Sequence, residues 1–284
     1  MTVVVGYRAG NVGLSGLHLA VRVARMLHTS LTVATIVPKP WLMRADAHQG
    51  LDGLAAESAG EAARHLRDVA AGIEVVYVDR AHRSVSGGLI ELLEDVDADV
   101  LVLGALPAGG AVVSGSTADR LLHASPVPVA ISPRGYGSGS GKLTRLTCAY
   151  SATPDTVDMV RRCVEFGARL AVPLRVITFA VRGKTMYPPE VGIDAEDSIL
   201  QAWASQARDI LRELKTDGIV GDEVVLQVVT GGSWKEALDK VDWQEGEILA
   251  LGTRPRGDIR RVFLGSRSGK IIRNSPVPVL VLLG

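Results

Sequence analysis

The sequence has 284 residues, which at the usual scale of roughly 100–200 residues per domain predicts two domains. Its 31 basic and 31 acidic side chains give a formal net charge of zero, so the chain lacks the basic excess typical of proteins that bind nucleic acids or anionic membranes. A hydrophobic fraction of 47% with only 4% aromatic residues argues against long disorder and predicts a globular protein with an aliphatic core.

The first half of the chain alternates short apolar segments with amphipathic ones. Apolar or β-branched runs predict five strands, at residues 3–7, 31–37, 74–79, 100–104 and 127–132. Apolar residues at three- and four-residue steps predict helices between them, at residues 13–28, 54–69, 88–95 and 117–124. This alternation predicts a doubly wound parallel sheet, in which ligands bind beyond the carboxyl ends of the strands.

The second half of the chain repeats the first. Residues 115–129 and 265–279 both begin with Gly-Ser and end with Ser-Pro-Val-Pro-Val, 150 residues apart. Apolar runs predict five more strands, at residues 146–150, 174–179, 224–228, 248–252 and 277–283. The sequence therefore predicts two domains, residues 1–134 and 142–284, joined by a flexible glycine- and serine-rich linker at residues 135–141. Each domain is expected to form a five-stranded, doubly wound parallel sheet with helices on both faces.

The sequence carries no pattern typical of secretion, membrane insertion or metal binding. The N-terminus predicts a strand rather than a signal peptide, and no apolar run approaches the roughly 20 residues of a membrane span. Cys148 and Cys163 lie in apolar segments without disulfide or zinc spacing, and the six histidines are not spaced as metal ligands. We expect a cytoplasmic protein with buried, reduced thiols and no metal site.

The loop after the fourth strand of the second domain has the features of a phosphate site. Gly252 ends the strand, and Gly265 with Ser266 begins the next helix, where unpaired backbone N–H groups attract anions. The hydroxyls of Ser266 and Ser268 could donate further hydrogen bonds. Against a single acid, Asp258, the loop and helix carry seven cations: Arg254, Arg256, Arg260, Arg261, Arg267, Lys270 and Arg273. The alternative is that these cations form an ordinary solvated surface.

The corresponding loop of the first domain, from Gly104 to Gly115, is uncharged and two residues shorter. Gly115, Ser116 and Thr117 at the start of the next helix still offer backbone N–H groups and hydroxyls to a phosphate. No cation in this loop balances a triphosphate, so a loop kept for packing is the alternative. The second domain is therefore the favoured site.

Over its whole length the chain resembles a tandem universal stress protein, with two copies of that domain in one polypeptide. The resemblance rests on the spacing of Gly252, Gly265 and Ser266, and on the Ser-Pro-Val-Pro-Val entry to the last strand of both halves. In that family the phosphate loop is a glycine, two residues, a second glycine, nine residues, then glycine with serine or threonine. Pro255 stands where the second glycine is expected, and Pro107 stands there in the first domain.

The resemblance implies a Rossmann-like fold and a stress-response regulatory protein that binds ATP, with or without magnesium. The aspartate that meets the adenine or ribose in ATP-binding relatives is replaced by Arg8 in the first domain and by Ser151 in the second. Because serine can still form a hydrogen bond, ATP is expected in the second domain. The expected binding residues there are Ser151, Gly252, Thr253, Arg254, Gly265, Ser266, Arg267 and Ser268, with Gly104, Gly115, Ser116 and Thr117 as a weaker set in the first domain.

Two functions remain open at this point. In the first, the protein responds to ATP; no residue is placed as a general base, so any hydrolysis is expected to be slow and incidental. In the second, it is a scaffold that binds an unidentified protein partner without any nucleotide. The basic loop of the second domain favours the first function, and the departures from the family pattern favour the second.

The last strand of each half, residues 127–132 and 277–283, is apolar on both faces and should be covered. The resemblance implies that these strands pair between the two domains. We further expect two chains to associate through the last strands as a homodimer.

Overall fold

The computed structural model describes residues 1–9, 14–39, 47–105, 117–137, 141–153, 156–182, 193–255, 262–263 and 266–283. In the first half the strands are β1 (Thr2–Gly6), β2 (Ser30–Pro38), β3 (Val75–His82), β4 (Ala98–Leu103) and β5 (Val129–Ile131). The helices between them are α1 (Ser15–Leu27), α2 (Ala47–Val69), α3 (Val85–Asp95) and α4 (Thr117–Ala124). The predicted α/β alternation is confirmed.

The second half has the same succession of elements. In chain order its strands are β6 (Arg145–Ala149), β7 (Leu174–Val181), β8 (Val225–Gly231), β9 (Glu247–Gly252), the two-residue β10 (Arg254–Pro255) and β11 (Val262–Phe263), and β12 (Val279–Leu282). Its helices are α5 (Val157–Arg169), α6 (Ile193–Thr216), α7 (Trp234–Asp239) and α8 (Ser266–Asn274). Among the described residues, no helix is both long and apolar enough to cross a membrane.

All strands except β10 and β11 belong to one ten-stranded sheet, in the order β3-β2-β1-β4-β5-β12-β9-β6-β7-β8. Within each half the strands are parallel and follow the same order. The halves meet where β5 and β12 pair antiparallel, with Val279 opposite Ile131 and Val281 opposite Val129. Two predicted five-stranded sheets are therefore joined edge to edge.

The expected pairing of the last strands is confirmed within the chain, but the expected use of these strands by a second chain is corrected. β5 pairs with β4 on one side and β12 on the other, while β12 pairs with β5 and β9. Both edges of both strands are occupied, so their backbone groups have no side left for a further strand. Two chains would have to associate through other surfaces.

The apolar core lies in two layers, one on each face of the sheet, and each layer runs through both halves. Helices α1, α2, α5 and α6 contribute to one layer, which includes Ala130 of β5 and Leu280 of β12. Helices α3, α4, α7 and α8 contribute to the other. Interior strands are buried on both faces, which explains the uninterrupted apolar runs of the sequence.

The chain between the two halves is held against α1 rather than hanging free. Arg22 donates to the hydroxyl of Tyr136 at 2.7 Å and to the carbonyl of Gly137 at 3.3 Å. Arg25 donates to the carbonyl of Gly141 at 3.1 Å. The glycine-rich composition predicted a flexible linker, but two arginines of α1 anchor the part of it that the structure describes.

A buried ion-pair network joins the amino ends of β6, β7 and β9. The Glu247 side chain is fully buried and accepts hydrogen bonds from Arg145 at 2.7 Å, from Arg175 at 2.5 Å and from Thr147. Burial alone would raise the pKa of Glu247, but the hydrogen bonds of Arg145, Gln244 and Thr147 and the charge of Arg175 outweigh it and hold the pKa below its ordinary value.

We predict that truncation at the joint between the halves is far more destabilising than truncation at the outer edge. Leu280 is 1% exposed, whereas Val76 on the edge strand β3 is 42% exposed. Leu280→Ala is expected to lower the free energy of unfolding by about 2–5 kcal/mol, because it opens a cavity in the shared core. Urea unfolding measures this loss. Val76→Ala is the control, and a similar loss in both variants would contradict the shared core.

We predict a second stability loss from the charge network. Glu247→Gln leaves the buried Arg175 and the partly buried Arg145 without a carboxylate and should cost about 3–5 kcal/mol at neutral pH. Because the folded-state pKa of Glu247 is depressed, its contribution is complete above the unfolded pKa of about 4.3 and is lost as pH falls through the folded value. The difference between wild type and variant should therefore shrink below about pH 4. Glu165→Gln, on the exposed face of α5, serves as control.

Candidate functional site

The loop after β6 brings hydroxyl groups to the carboxyl end of the sheet in the second half. Tyr150 is buried, and its carbonyl accepts a hydrogen bond from Thr178 of β7 at 3.0 Å. Ser151 follows and is exposed to solvent. Ala152 has a φ of 54°, in the left-handed region that costs an L-residue about 1–2 kcal/mol. The backbone turn next to the predicted ligand residue Ser151 is therefore strained on one side, at Ala152, and tied to β7 on the other, at Tyr150.

Helix α5 packs against the carboxyl end of β9. A Cβ atom placed on Gly252 would lie 2.7 Å from the sulfur of Met159. Met159 corresponds to Gly16 of α1, because both pairs, Gly16 with Met159 and Leu31 with Leu174, are 143 residues apart. A side chain at position 252 would therefore have to displace Met159, whether or not a phosphate approaches the loop.

Thr253 lies close to the predicted site, but its hydroxyl faces the sheet. The residue is 7% exposed, and its backbone N–H and Oγ1 both donate to the carbonyl of Leu282 at 3.2 Å. Its hydroxyl proton is therefore committed to β12. This geometry does not favour the predicted role of Thr253 as a phosphate donor.

The loop beyond Thr253 begins as a two-stranded ribbon. Arg254 pairs with Phe263 and Pro255 pairs with Val262 in antiparallel register. Strand β11 of this ribbon packs against α4 of the first half. The loop that carries the predicted phosphate site is therefore in contact with the other half of the molecule.

Helix α8 presents cations at the end where a helix already carries partial positive charge. Arg267 and Lys270 are exposed, and the first turn contains no acid. The equivalent helix α4 has Asp119 in its first turn, and the Oδ1 of Asp119 lies 3.4 Å from the Nε2 of His123. Acids stabilise a helix N-terminus and cations destabilise it, so of these two equivalent helices α8 is the one left with a local positive charge for an anion to balance.

In the first half, the equivalent loops are tied to neighbouring helices. The hydroxyl of Tyr7 donates to Glu61 of α2 at 2.6 Å, and the backbone N–H of Ala9 donates to Ser58 at 3.0 Å. Burial and the Glu61 carboxylate raise the pKa of Tyr7, so the phenol stays neutral. A Cβ atom on Gly16 would lie 3.0 Å from the backbone of Gly104, so α1 packs directly against the first residue of the predicted loop.

Several predicted residues lie outside the described part of the chain. They are Pro107, Gly115, Ser116, Arg256, Asp258, Arg260, Arg261 and Gly265. Thr117 begins α4 and is exposed, and Arg8 is exposed after β1. Sequence reasoning does not single out Met159, Ser58 or Glu61, and the repeat alignment of Met159 with Gly16 is the only signal for any of them. Within the described ranges, no three His, Cys, Asp or Glu side chains converge as metal ligands would.

Comparison with known proteins agrees with the repeated architecture. The model of the universal stress protein family matches the chain twice, at residues 1–133 and 142–282. The chain belongs to the universal stress protein family. Universal stress proteins of Mycobacterium tuberculosis and Mycobacterium bovis are each 64% identical to it over 292 residues, covering 100% of both chains.

A solved structure shares the tandem fold. The universal stress protein from Archaeoglobus fulgidus has a TM-score of 0.64 and covers 99% of this chain and 98% of its own, at 18% identity. This likeness shows the fold alone. Together with the double family match, it identifies the two halves as universal stress protein domains in tandem.

In this universal stress protein, substitution can separate the packing role of Gly252 from a role in ligand binding. Gly252→Ala is expected to lower the free energy of unfolding by about 1–2 kcal/mol, because Met159 must leave its position. The same substitution in a Met159→Ala background should cost almost nothing. Chemical unfolding of the wild type, the two single variants and the double variant gives the coupling between the two positions.

The control is Gly269→Ala on α8, where a Cβ atom meets nothing within 4 Å. It should raise the free energy of unfolding by about 0.5–1 kcal/mol, since alanine favours the helix. If Gly252→Ala were equally costly with and without Met159, the packing explanation would be wrong.

Proposed function

We propose that this tandem universal stress protein is a stress-response regulator that binds ATP in its second domain. In this proposal residues 1–134 and 142–284 form the two domains, residues 135–141 form the linker, and the protein acts in the cytoplasm. The observation that carries the proposal is the difference between α8 and α4. Arg267 and Lys270 surround a helix start without an acid, whereas α4 has Asp119 there.

The described residues fit the phosphate part of ATP. The N–H groups at the start of α8 and the hydroxyl of Ser268 can donate to phosphate oxygens, and Arg267 and Lys270 can balance their charge. Arg254, with Gly265 and Ser266, completes this set by its place in the loop. When bound, ATP would supply the negative charge that the start of α8 lacks.

The fit is weaker for the adenosine part. Ser151 is the exposed polar side chain at the end of β6, and it offers a single hydroxyl where a carboxylate would accept two hydrogen bonds. Recognition of the nucleoside would then rest on Ser151 and on the strained backbone at Ala152. We expect phosphate contacts to contribute most of the affinity.

The chemistry of the surrounding groups suits binding rather than turnover. Ser151, Ser268 and Arg267 hold or orient a ligand, but hydroxyls and guanidinium groups do not accept a proton at neutral pH. A ligand acts in such a protein by favouring one conformation. Because β11 contacts α4, a change in the loop of the second domain would reach the first domain directly.

A scaffold that binds a protein partner without nucleotide is the second candidate. It is favoured by Met159, which covers Gly252, and by Thr253, whose hydroxyl is committed to β12. Under this alternative the cations of α8 would face an acidic surface of the partner.

Isothermal titration of nucleotide-stripped protein with ATP and magnesium tests the proposal. We expect one site per chain, and Arg267→Ala/Lys270→Ala should weaken binding at least about tenfold, since two charge-assisted contacts are lost. Arg120→Ala is the matched control, because Arg120 of α4 is the repeat equivalent of Lys270. No heat at millimolar ATP, or an equal loss in Arg120→Ala, would leave the scaffold as the better function.

A further inference from the structure

Strand β3 forms one outer edge of the ten-stranded sheet, and its outward side is open. Among the described residues β3 pairs with β2 alone. The N–H of Leu31 donates to the carbonyl of Glu74, and the residue after β2 donates to the carbonyl of His82, both at 2.9 Å. Even-numbered residues of β3 therefore direct their backbone groups to β2. The residues whose backbone groups face outward are Val75, Tyr77, Asp79 and Ala81.

Strand β8 forms the opposite edge of the sheet, and a lysine closes it. The N–H of Arg182 donates to the carbonyl of Gly231 at 3.0 Å, so Gly231 faces β7 and the preceding Thr230 faces outward. The Nζ of Lys240 donates to that outward carbonyl of Thr230 at 3.3 Å. A lysine on an edge strand is one of the devices that prevent the addition of a further strand. Within the described ranges, no side chain closes an outward backbone group of β3 in this way.

The two apolar layers of the molecule extend as far as β3. Val75 packs against one layer and Val78 against the other. Their neighbours Val76 and Tyr77 are 42% and 37% exposed and lie on opposite faces of the strand. A further strand added at this edge would cover apolar surface on both faces, as happens where β5 meets β12.

We propose that a second copy of this chain occupies this edge, with the β3 strands of the two copies paired antiparallel about Tyr77. In this register Tyr77 lies opposite the partner's Tyr77 and Val76 opposite the partner's Val78. Glu74 lies opposite the partner's Arg80, and no two like charges face each other. An edge that is complementary to itself in charge and in apolar character fits a two-fold symmetric dimer.

The charge pair selects the register more than it supplies affinity. Arg80 already bonds Asp95 of α3 and lies 3.8 Å from Glu91, whose side chain is 58% exposed. The partner's Glu74 would share this guanidinium with them, and ion pairs at a surface contribute little. In the neighbouring register, centred on Val78, Arg80 would face an apolar side chain instead.

Backbone hydrogen bonds and apolar contacts therefore carry the association. The paired segment, residues 74–80, is longer than the segment of β5 that joins the two halves, where three residue pairs suffice. The dimer would repeat between chains the edge-to-edge pairing that already exists within the chain. It leaves the proposed nucleotide site at α8, in the other half, free to bind its ligand.

Sedimentation velocity of the full chain, from about 1 to about 100 µM, tests the association. We expect a reversible rise from the mass of one chain, 30.0 kDa, to twice that mass. Val76→Lys should weaken the dimer at least about tenfold, because it sets an ammonium group against the partner's Val78. The matched control is Val225→Lys on β8, where the wild-type residue is 54% exposed, and it should leave the dimer unchanged.

Cysteine cross-linking tests the register. In Tyr77→Cys the new residue lies opposite its copy, at the Cα separation of about 5.5 Å that a disulfide can span, so mild oxidation should link two chains. In Asp79→Cys the two copies lie about 14 Å apart and should stay unlinked. Cys148 and Cys163 are buried and do not compete.

Three results would overturn the proposal. One is the mass of a single chain over the whole concentration range. Another is a dimer that survives Val76→Lys or is lost in Val225→Lys. The third is a link between chains in Asp79→Cys but not in Tyr77→Cys.

Discussion

Antiparallel pairing between β5 and β12 turns two five-stranded sheets into one sheet of ten strands. Three residue pairs are enough, because the apolar layers on both faces continue through the joint, with Ala130 and Leu280 in one and Val129 and Val281 in the other. Separating the halves would expose both layers as well as two strand edges. The ion pair of Arg169 with Asp99 and the contact of β11 with α4 both join the two halves and depend on this arrangement.

Much of the fold could be predicted from local pattern, because strands buried on both faces leave continuous apolar runs and the repeat shows each of them twice. The pairing of the last strands followed from their apolar character and from the family resemblance. Contacts between distant residues leave no such pattern: nothing in the sequence links Arg175 to Glu247, although the two meet in a buried network. Helix α3 begins at Val85, before the predicted residue 88, because Ser84 caps it by accepting from Gly87.

The candidate site shows the same limit. The repeat and the glycine spacing located the loops, but the orientation of a side chain depends on neighbours far along the chain. The hydroxyl of Thr253 donates to the carbonyl of Leu282, 29 residues along the chain, and Met159 of α5 fills the space that a side chain at position 252 would need. The two domains have kept one backbone and diverged in what covers their strand ends. In the first, Ser58 and Glu61 hold the loop after β1; in the second, Ser151 is left exposed.

The direction of the strands has a consequence for any larger partner. Because β5 and β12 run in opposite directions, the carboxyl ends of β1 and β4 lie at one pole of the sheet and those of β6 and β9 at the opposite pole. The strand ends at which each domain could bind a ligand therefore face in opposite directions. A macromolecule that approaches one pole meets a single domain and its own set of loops. Two different partners could bind the two poles of the same chain at once, connected through the shared sheet and through the contact of β11 with α4.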